Sequence, residues 1–208
     1  MIKWRQESIV IPTSIVMAAE ELALEELMDG NKRYKGTNQK YPHQTVARRQ
    51  AIRNSQKPFA VILSCADSRV PPELIFDQGL GDLFVIRVAG HVIDDAVLAS
   101  VEFAVTVLDA PLVMVLGHTQ CGAVEGTVGG GELPGSLSKL AAAIQPAVAS
   151  AKEQPGDLVD NAIKTNANMT TVQLLTRSHL LKQAAAEEQV RIVAALYKLD
   201  TGAVELMA

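Results

Sequence analysis

The residues best suited to holding a metal or moving a proton are concentrated in two short segments. The segment SCADSRVPPE (64–73) places Cys65, Asp67 and Arg69 at alternating positions, and LGHTQCG (116–122) carries His118 and Cys121. The chain has two cysteines in all. So small a number excludes a disulfide-rich scaffold and leaves one disulfide bridge, two buried thiols or a metal site.

Both segments follow apolar runs of strand length, PFAVIL before Ser64 and PLVMVL before Gly117. Ligands of open α/β sheets gather outside the carboxyl ends of strands, so we expect the two segments to meet there. Two thiolates and one imidazole leave the fourth tetrahedral position of zinc for water or substrate, which is typical of a catalytic zinc site. A single cysteine after a strand is usually a small buried apolar residue. Two cysteines used in this way favour metal binding.

Asp67 and Arg69 lie two and four residues after the first cysteine. A neighbouring cation lowers the pKa of a carboxylate, so we expect Asp67 to be ionised. The ordinary interpretation is a structural ion pair at the end of a strand. Beside an open zinc ion, the carboxylate could instead accept a hydrogen bond from a metal-bound hydroxide and fix its orientation.

The rest of the chain predicts the elements that would position these residues. Continuous apolar runs, typical of parallel strands buried on both faces, occupy 58–64, 82–90 and 111–117. Helical periodicity occupies about 18–34, 46–56 and 94–109, and two or three helices fill 137–188 with a break at Pro155 and Gly156. The closing segment, 190–206, predicts a strand and a turn. We therefore predict an α/β fold, a mainly parallel central sheet flanked by helices, with an N-terminal helical arm.

Length and composition fit one globular domain spanning residues 1–208. The chain has 48% apolar and 20% charged residues and a net charge of −4, which gives no basic footprint for nucleic acid, and it has no apolar run of membrane-spanning length. The first residues loosely resemble a secretory signal, but Glu7 and Pro12 interrupt the apolar stretch. We favour an arm and helix, about 1–35, that packs on a partner subunit, with Trp4 as an anchor.

Four segments, CADSRVPPE, GDLFVIRVAG, GHTQCGAV and LYKLDTGAV, resemble the β-class carbonic anhydrases in the same order along the chain. The resemblance implies one Zn²⁺ per subunit, held by Cys65, His118 and Cys121, with Asp67 and Arg69 as a catalytic dyad. It implies an enzyme that reversibly hydrates CO2 to bicarbonate and a proton by attack of zinc-bound hydroxide.

The resemblance also implies a substrate cleft between two subunits, and hence a homodimer or a tetramer of dimers. The implied substrate-binding residues are Gln56, Phe84, Ala89, Phe103 and Gly122. Gln56 would hydrogen-bond the substrate, and Phe84 and Phe103 would line an apolar slot. Many family members have tyrosine where this chain has Phe103, so any role of that hydroxyl is absent here.

Some positions depart from the family pattern. The family commonly has R-N-A-G-N where this chain has RVAGH, 87–91. His91 is either a neutral histidine satisfied by the backbone, or a proton carrier or cleft-wall residue. Ile62 stands where some members have a tryptophan that forms a non-catalytic bicarbonate pocket, so we expect no pocket of that kind.

Two alternatives remain at this point. Relatives that hydrolyse carbonyl sulfide or carbon disulfide use the same site, and the changes at Val88 and His91 leave that activity open. A non-catalytic zinc or redox protein is the second alternative, although it would need neither Asp67, Arg69 nor Gln56. The fourth zinc ligand at rest is either water or Asp67. Thiolate ligands suit a reducing compartment, so we expect the cytoplasm.

Overall fold

A five-stranded sheet forms the centre of the computed structural model, which describes residues 13–131 and 134–207. The strand order is β2-β1-β3-β4-β5, and the first four strands are parallel while β5 is antiparallel to β4. The strands are β1 (Ala60–Ser64), β2 (Leu83–Arg87), β3 (Leu112–His118), β4 (Arg191–Tyr197) and β5 (Val204–Leu206). The predicted mainly parallel α/β fold is confirmed, and the chain adds β5 where the sequence indicated only a turn.

Eight helices in the described part of the chain surround this sheet. They are α1 (Thr13–Lys35), α2 (Val46–Ala51), α3 (Pro72–Ile75), α4 (Asp95–Thr106), α5 (Gly122–Gly129), α6 (Leu137–Ala151), α7 (Leu158–Arg177) and α8 (His179–Ala186). Asp94, Asp157 and Ser178 cap α4, α7 and α8, each accepting a backbone N–H three residues further on. The sequence did not predict α3, α5 or the short 3-10 turn at Ala89–His91.

The sheet separates two apolar cores, and alternate residues of β1 point into each. Ile62 packs in the first core with residues of α1, α5, α6 and α7, whereas Val61 and Leu63 pack in the second with residues of α4 and α8. All residues of β1 and β3 are buried. Strands that are buried on both faces have continuous apolar sequences, and for this reason these strands could be predicted from the sequence.

The register brings three strand ends to the same edge of the sheet. Ser64, the last residue of β1, lies opposite Arg87 of β2 and Leu116 of β3. The segments that follow β1 and β2 therefore leave the sheet beside His118 at the end of β3. β2 itself is an edge strand, and each of its five residues is only partly buried.

From Ala19 onward, the helix α1 packs against its own chain. Leu27 is fully buried, and the Asn31 side-chain amide donates to the carbonyl oxygens of Ile75 at 3.1 Å and Gly202 at 2.9 Å. The predicted arm before Thr13, with Trp4, lies outside the described residues, so its packing on a partner subunit stays a prediction. Among the described helices, none combines the length and apolar character needed to cross a membrane.

Candidate metal centre

Cys65, His118 and Cys121 meet at the carboxyl edge of the sheet. Cys65 follows β1, His118 ends β3, and Cys121 immediately precedes α5. Their potential ligand atoms all lie within 4.8 Å of one another, and all three residues are buried. The strand ends thus bring together the two cysteine segments, as expected from the sequence, and form a group that could hold a metal ion.

His118 has the tautomer that a metal ligand needs. Its Nδ1 lies 2.9 Å from the Thr119 carbonyl oxygen. A carbonyl can only accept, so Nδ1 carries the hydrogen and Nε2 keeps its lone pair. Nε2 is buried and has no hydrogen-bond partner among the residues that the structure describes. A buried acceptor without a partner is unfavourable, and a metal ion would satisfy it.

The two thiols also fit a divalent cation. A hydrogen bond between them holds the pKa of Cys65 well below its ordinary value, and the same bond together with burial raises the pKa of Cys121. Two thiolates side by side in the interior would repel each other, and a divalent cation between them would remove that cost. Zn²⁺ favours sulfur and imidazole ligands in tetrahedral sites, so the donor set fits zinc with one position left open.

The Asp67 carboxylate lies beside these ligands and is held by Arg69. The guanidinium donates from Nε to Oδ1 at 2.9 Å and from Nη2 to Oδ2 at 2.7 Å, while Nη2 also donates to the Gln120 carbonyl oxygen. The hydrogen bonds from Arg69 lower the pKa of Asp67 to about 2, against a smaller opposing effect of burial. Asp67 Oδ2 is 3.9 Å from His118 Nε2. An ionised carboxylate in a fixed orientation therefore faces the ligand set.

Arg87 donates two hydrogen bonds to the backbone of the loop that carries Cys65 and Asp67. From the end of β2, its Nε donates to the Cys65 carbonyl oxygen at 3.1 Å and its Nη2 to the Asp67 carbonyl oxygen at 2.5 Å. The Ala66 N–H donates to the Val88 carbonyl oxygen at 3.1 Å, which extends the β1–β2 pairing past the strand ends. The sequence showed Arg87 only as the first residue of RVAGH and gave no sign of this contact.

The predicted substrate-binding residues lie at several places around the centre. Phe84 of β2 and Phe103 of α4 are partly buried, with ring centroids 6.3 Å apart. Ala89 begins the 3-10 turn, Gly122 begins α5, and both are exposed. Gln56 is exposed in the segment between α2 and β1, and no described hydrogen bond links its side chain to the centre. The substrate-binding roles of these residues stay predictions.

His91 lies in the interior, next to the metal centre. It is 1% exposed, and its Nε2 is 3.1 Å from Nδ2 of Asn166, a residue that sequence reasoning missed. Its Nδ1 has no hydrogen-bond partner among the described residues. Burial lowers the pKa of His91 to about 4, so the ring is neutral near pH 7. This favours the neutral interpretation, although the ring contacts a side-chain amide and not the backbone.

Comparison with known proteins gives one consistent result. A family model described as carbonic anhydrase matches residues 60–204. A carbonic anhydrase of Mycolicibacterium smegmatis is 43% identical over 184 residues, covering 86% of this chain and 89% of that protein.

Solved structures have a similar fold. The β-carbonic anhydrase CafA of Aspergillus fumigatus superposes with a TM-score of 0.69 at 25% identity, covering 76% of this chain and 79% of that one. A structure from a study of two tetrameric β-carbonic anhydrases of Sordaria macrospora has a TM-score of 0.70 at 19% identity, covering 92% and 97%. With its fold, its Cys-His-Cys centre and these relatives, the chain belongs to the β-class carbonic anhydrase family.

Proposed function

We propose that the protein catalyses the reversible hydration of CO2 to bicarbonate and a proton at a zinc ion held by Cys65, His118 and Cys121. The observation that carries the proposal is the convergence of these three buried donors, with His118 Nε2 left without a partner among the described residues. Membership of the carbonic anhydrase family supports it. When bound in an open site, zinc lowers the pKa of water to about 7 and so supplies a nucleophile at neutral pH.

Asp67 would orient that nucleophile. Because its pKa is about 2, the carboxylate is ionised at neutral pH and can only accept hydrogen bonds. Oδ2 would accept the hydrogen of the attacking oxygen and leave a lone pair directed at the carbon of CO2. Arg69 holds both carboxylate oxygens, which keeps the charge in place and would make Asp67 less available than water as a fourth ligand of a bound zinc ion.

The substrate slot would be completed by a second subunit. β2 is an apolar edge strand of partly buried residues, and Phe84 pairs with Phe103 beside it. Unpaired strand edges are ready-made surfaces for pairing with another chain. We therefore propose a homodimer, or a larger assembly of dimers, in which Phe84, Phe103, Ala89 and Gly122 line the slot. Gln56 would donate to an oxygen of the developing bicarbonate, and the thiol ligands suit a reducing compartment such as the cytoplasm.

Stopped-flow CO2 hydration, on protein with its zinc content measured, tests this function. Asp67→Asn should keep zinc but lower turnover about a hundredfold, because the attacking oxygen loses its orientation. Asp109→Asn is the matched control. Asp109 is exposed and has a left-handed backbone that asparagine tolerates, so this variant should match the wild type.

Two results would contradict the proposal at different points. Zinc-loaded Asp67→Asn with turnover close to wild type would remove Asp67 from the mechanism while leaving the enzyme in place. Zinc-loaded wild type at the background rate across neutral and alkaline pH would refute CO2 hydration. Carbonyl sulfide and carbon disulfide would then be assayed as substrates before a non-catalytic role is accepted.

A further inference from the structure

The sulfur of Cys65 receives a backbone hydrogen bond from an unusual turn. The Gly90 N–H donates to Cys65 Sγ at 3.3 Å inside the protein. Gly90 and His91 are consecutive residues with left-handed backbone, at φ 59° and φ 44°. Left-handed backbone is uncommon for residues other than glycine, although histidine adopts it more often than most, and two such residues in succession require a turn that its surroundings hold in place. The direction of the Gly90 N–H therefore depends on whatever fixes this turn.

The side chain of Asn166 contacts this turn at two points. Asn166 lies on the buried face of α7 and is 5% exposed. Its Nδ2 donates to the Gly90 carbonyl oxygen at 3.0 Å and lies 3.1 Å from His91 Nε2. The carbonyl can only accept, so this atom is the amide nitrogen, and its second hydrogen is available to the ring. One amide group thus contacts both left-handed residues of the turn.

We propose that Asn166 is a positioning residue of the metal centre, acting through Gly90 and His91 to keep the Gly90 N–H on the sulfur of Cys65. This rests on the proposed function only in requiring a metal ion at Cys65. Hydrogen bonds to ligand atoms orient them and adjust their basicity, and loss of such contacts typically costs about ten- to a hundredfold in metal affinity or activity. The role predicts that a change at Asn166, which is 76 residues away in sequence from Gly90, alters the metal–sulfur bond.

Metal affinity and the spectrum of the cobalt-substituted protein test the proposal directly. Asn166→Leu keeps much of the side-chain volume and removes both donors. It should weaken zinc binding about tenfold or more and shift the sulfur-to-cobalt charge-transfer band to longer wavelength, because the sulfur loses a hydrogen bond. Asn161→Ala is the matched control, since Asn161 is on the same helix and donates to the Pro155 carbonyl oxygen away from the centre.

Each outcome decides the question. Weaker zinc binding with a shifted band in Asn166→Leu, and neither change in Asn161→Ala, supports the positioning role. A folded variant with wild-type affinity and an unchanged band overturns it, even if the variant unfolds more easily. If Asn166→Leu does not fold, Asn166→Ala is measured in its place. If neither Asn166 variant folds while Asn161→Ala does, Asn166 has a general packing role and the proposal is overturned. Wild-type protein that binds neither metal would instead refute the proposed function.

Discussion

Replacing Gly90 with alanine would test how tightly the metal centre depends on the turn behind it. A Cβ at this position would lie 2.8 Å from Cδ1 of Ile144 and 3.3 Å from Cβ of Ala123. The first distance is shorter than carbon atoms tolerate, and the second is tight. Gly90 also has φ 59°, a conformation that disfavours every residue with a Cβ.

The expected cost has two parts. A left-handed backbone costs a non-glycine residue about 1–2 kcal/mol. Overpacking a buried site typically costs about 1–3 kcal/mol, and the lower value applies here because Cδ1 is the end of a side chain that can turn. We therefore expect Gly90→Ala to lower the free energy of unfolding by roughly 2–3 kcal/mol.

A second substitution separates the two parts. Ile144→Val removes the Cδ1 atom that the new methyl group would contact, at its own cost of about 1 kcal/mol. In that background Gly90→Ala should cost about 1 kcal/mol less than in the wild type, because the closest contact is absent while the backbone strain remains. Urea denaturation of the four zinc-loaded proteins, at one protein concentration, measures the difference.

Two results would contradict these expectations. Equal costs in both backgrounds would show that the contact with Ile144 is relieved without penalty, leaving backbone strain as the whole effect. A Gly90→Ala protein as stable as the wild type would show that neither the left-handed turn nor the contact restrains this position, and the support for Cys65 would then have to come from elsewhere.

Two further predictions concern parts of the molecule outside the centre. Burial raises the pKa of Asp77, but its hydrogen bonds, among them one from Arg33, hold that pKa below the ordinary value of 3.8. The stability that the ionised carboxylate contributes is therefore present above that pH and is lost in acid. Asp77→Asn should therefore lose about 3 kcal/mol at pH 7 and progressively less below pH 4 in urea denaturation, and a pH-independent difference would contradict this. Val85→Lys on β2 should shift the molecular mass measured by sedimentation from that of a dimer or larger assembly towards that of a monomer. A wild type that is already monomeric would refute the proposed interface.

The strands were the most predictable part of this fold. The runs that became β1 and β3 are apolar up to their last one or two residues because both faces of each strand are covered, and such continuous runs are typical of parallel strands. The ligand set was predictable for a related reason. Once the strands are parallel, the residues that follow them emerge at one edge, so Cys65, His118 and Cys121 had to lie near one another.

The helix α5 shows where sequence reasoning failed. Its residues, GAVEGTVG, include three glycines, which are poor helix formers in isolation. The helix forms because tertiary contacts override that preference: Val124 and Thr127 are buried on one side of it. Gly130, with φ 67°, follows the last residue of the helix, and the residues before it carried no local helical signal.

The long-range hydrogen bonds could not be predicted from the sequence, for a different reason. Asn166 is one polar residue in a helix that has many, and nothing near it indicates a partner at Gly90. Arg87 likewise donates to two carbonyl oxygens in the loop after the neighbouring strand, a contact that depends on register and not on residue type. Contacts of this kind become visible only when the sheet is assembled.

The position of His91 bears on which substrate the centre takes. His91 and Val88 were the two departures that kept sulfur-containing substrates open. His91 is buried and contacts Asn166, so it supports the turn behind Cys65 and does not line a cleft within this subunit. Val88 packs partly buried against the second core. The departures therefore change what lies behind a metal ligand more than the surface that meets the substrate. Under the proposed function, the selection between CO2 and its sulfur analogues would fall to exposed residues such as Ala89 and Gly122, and to the Phe84–Phe103 pair at the proposed interface.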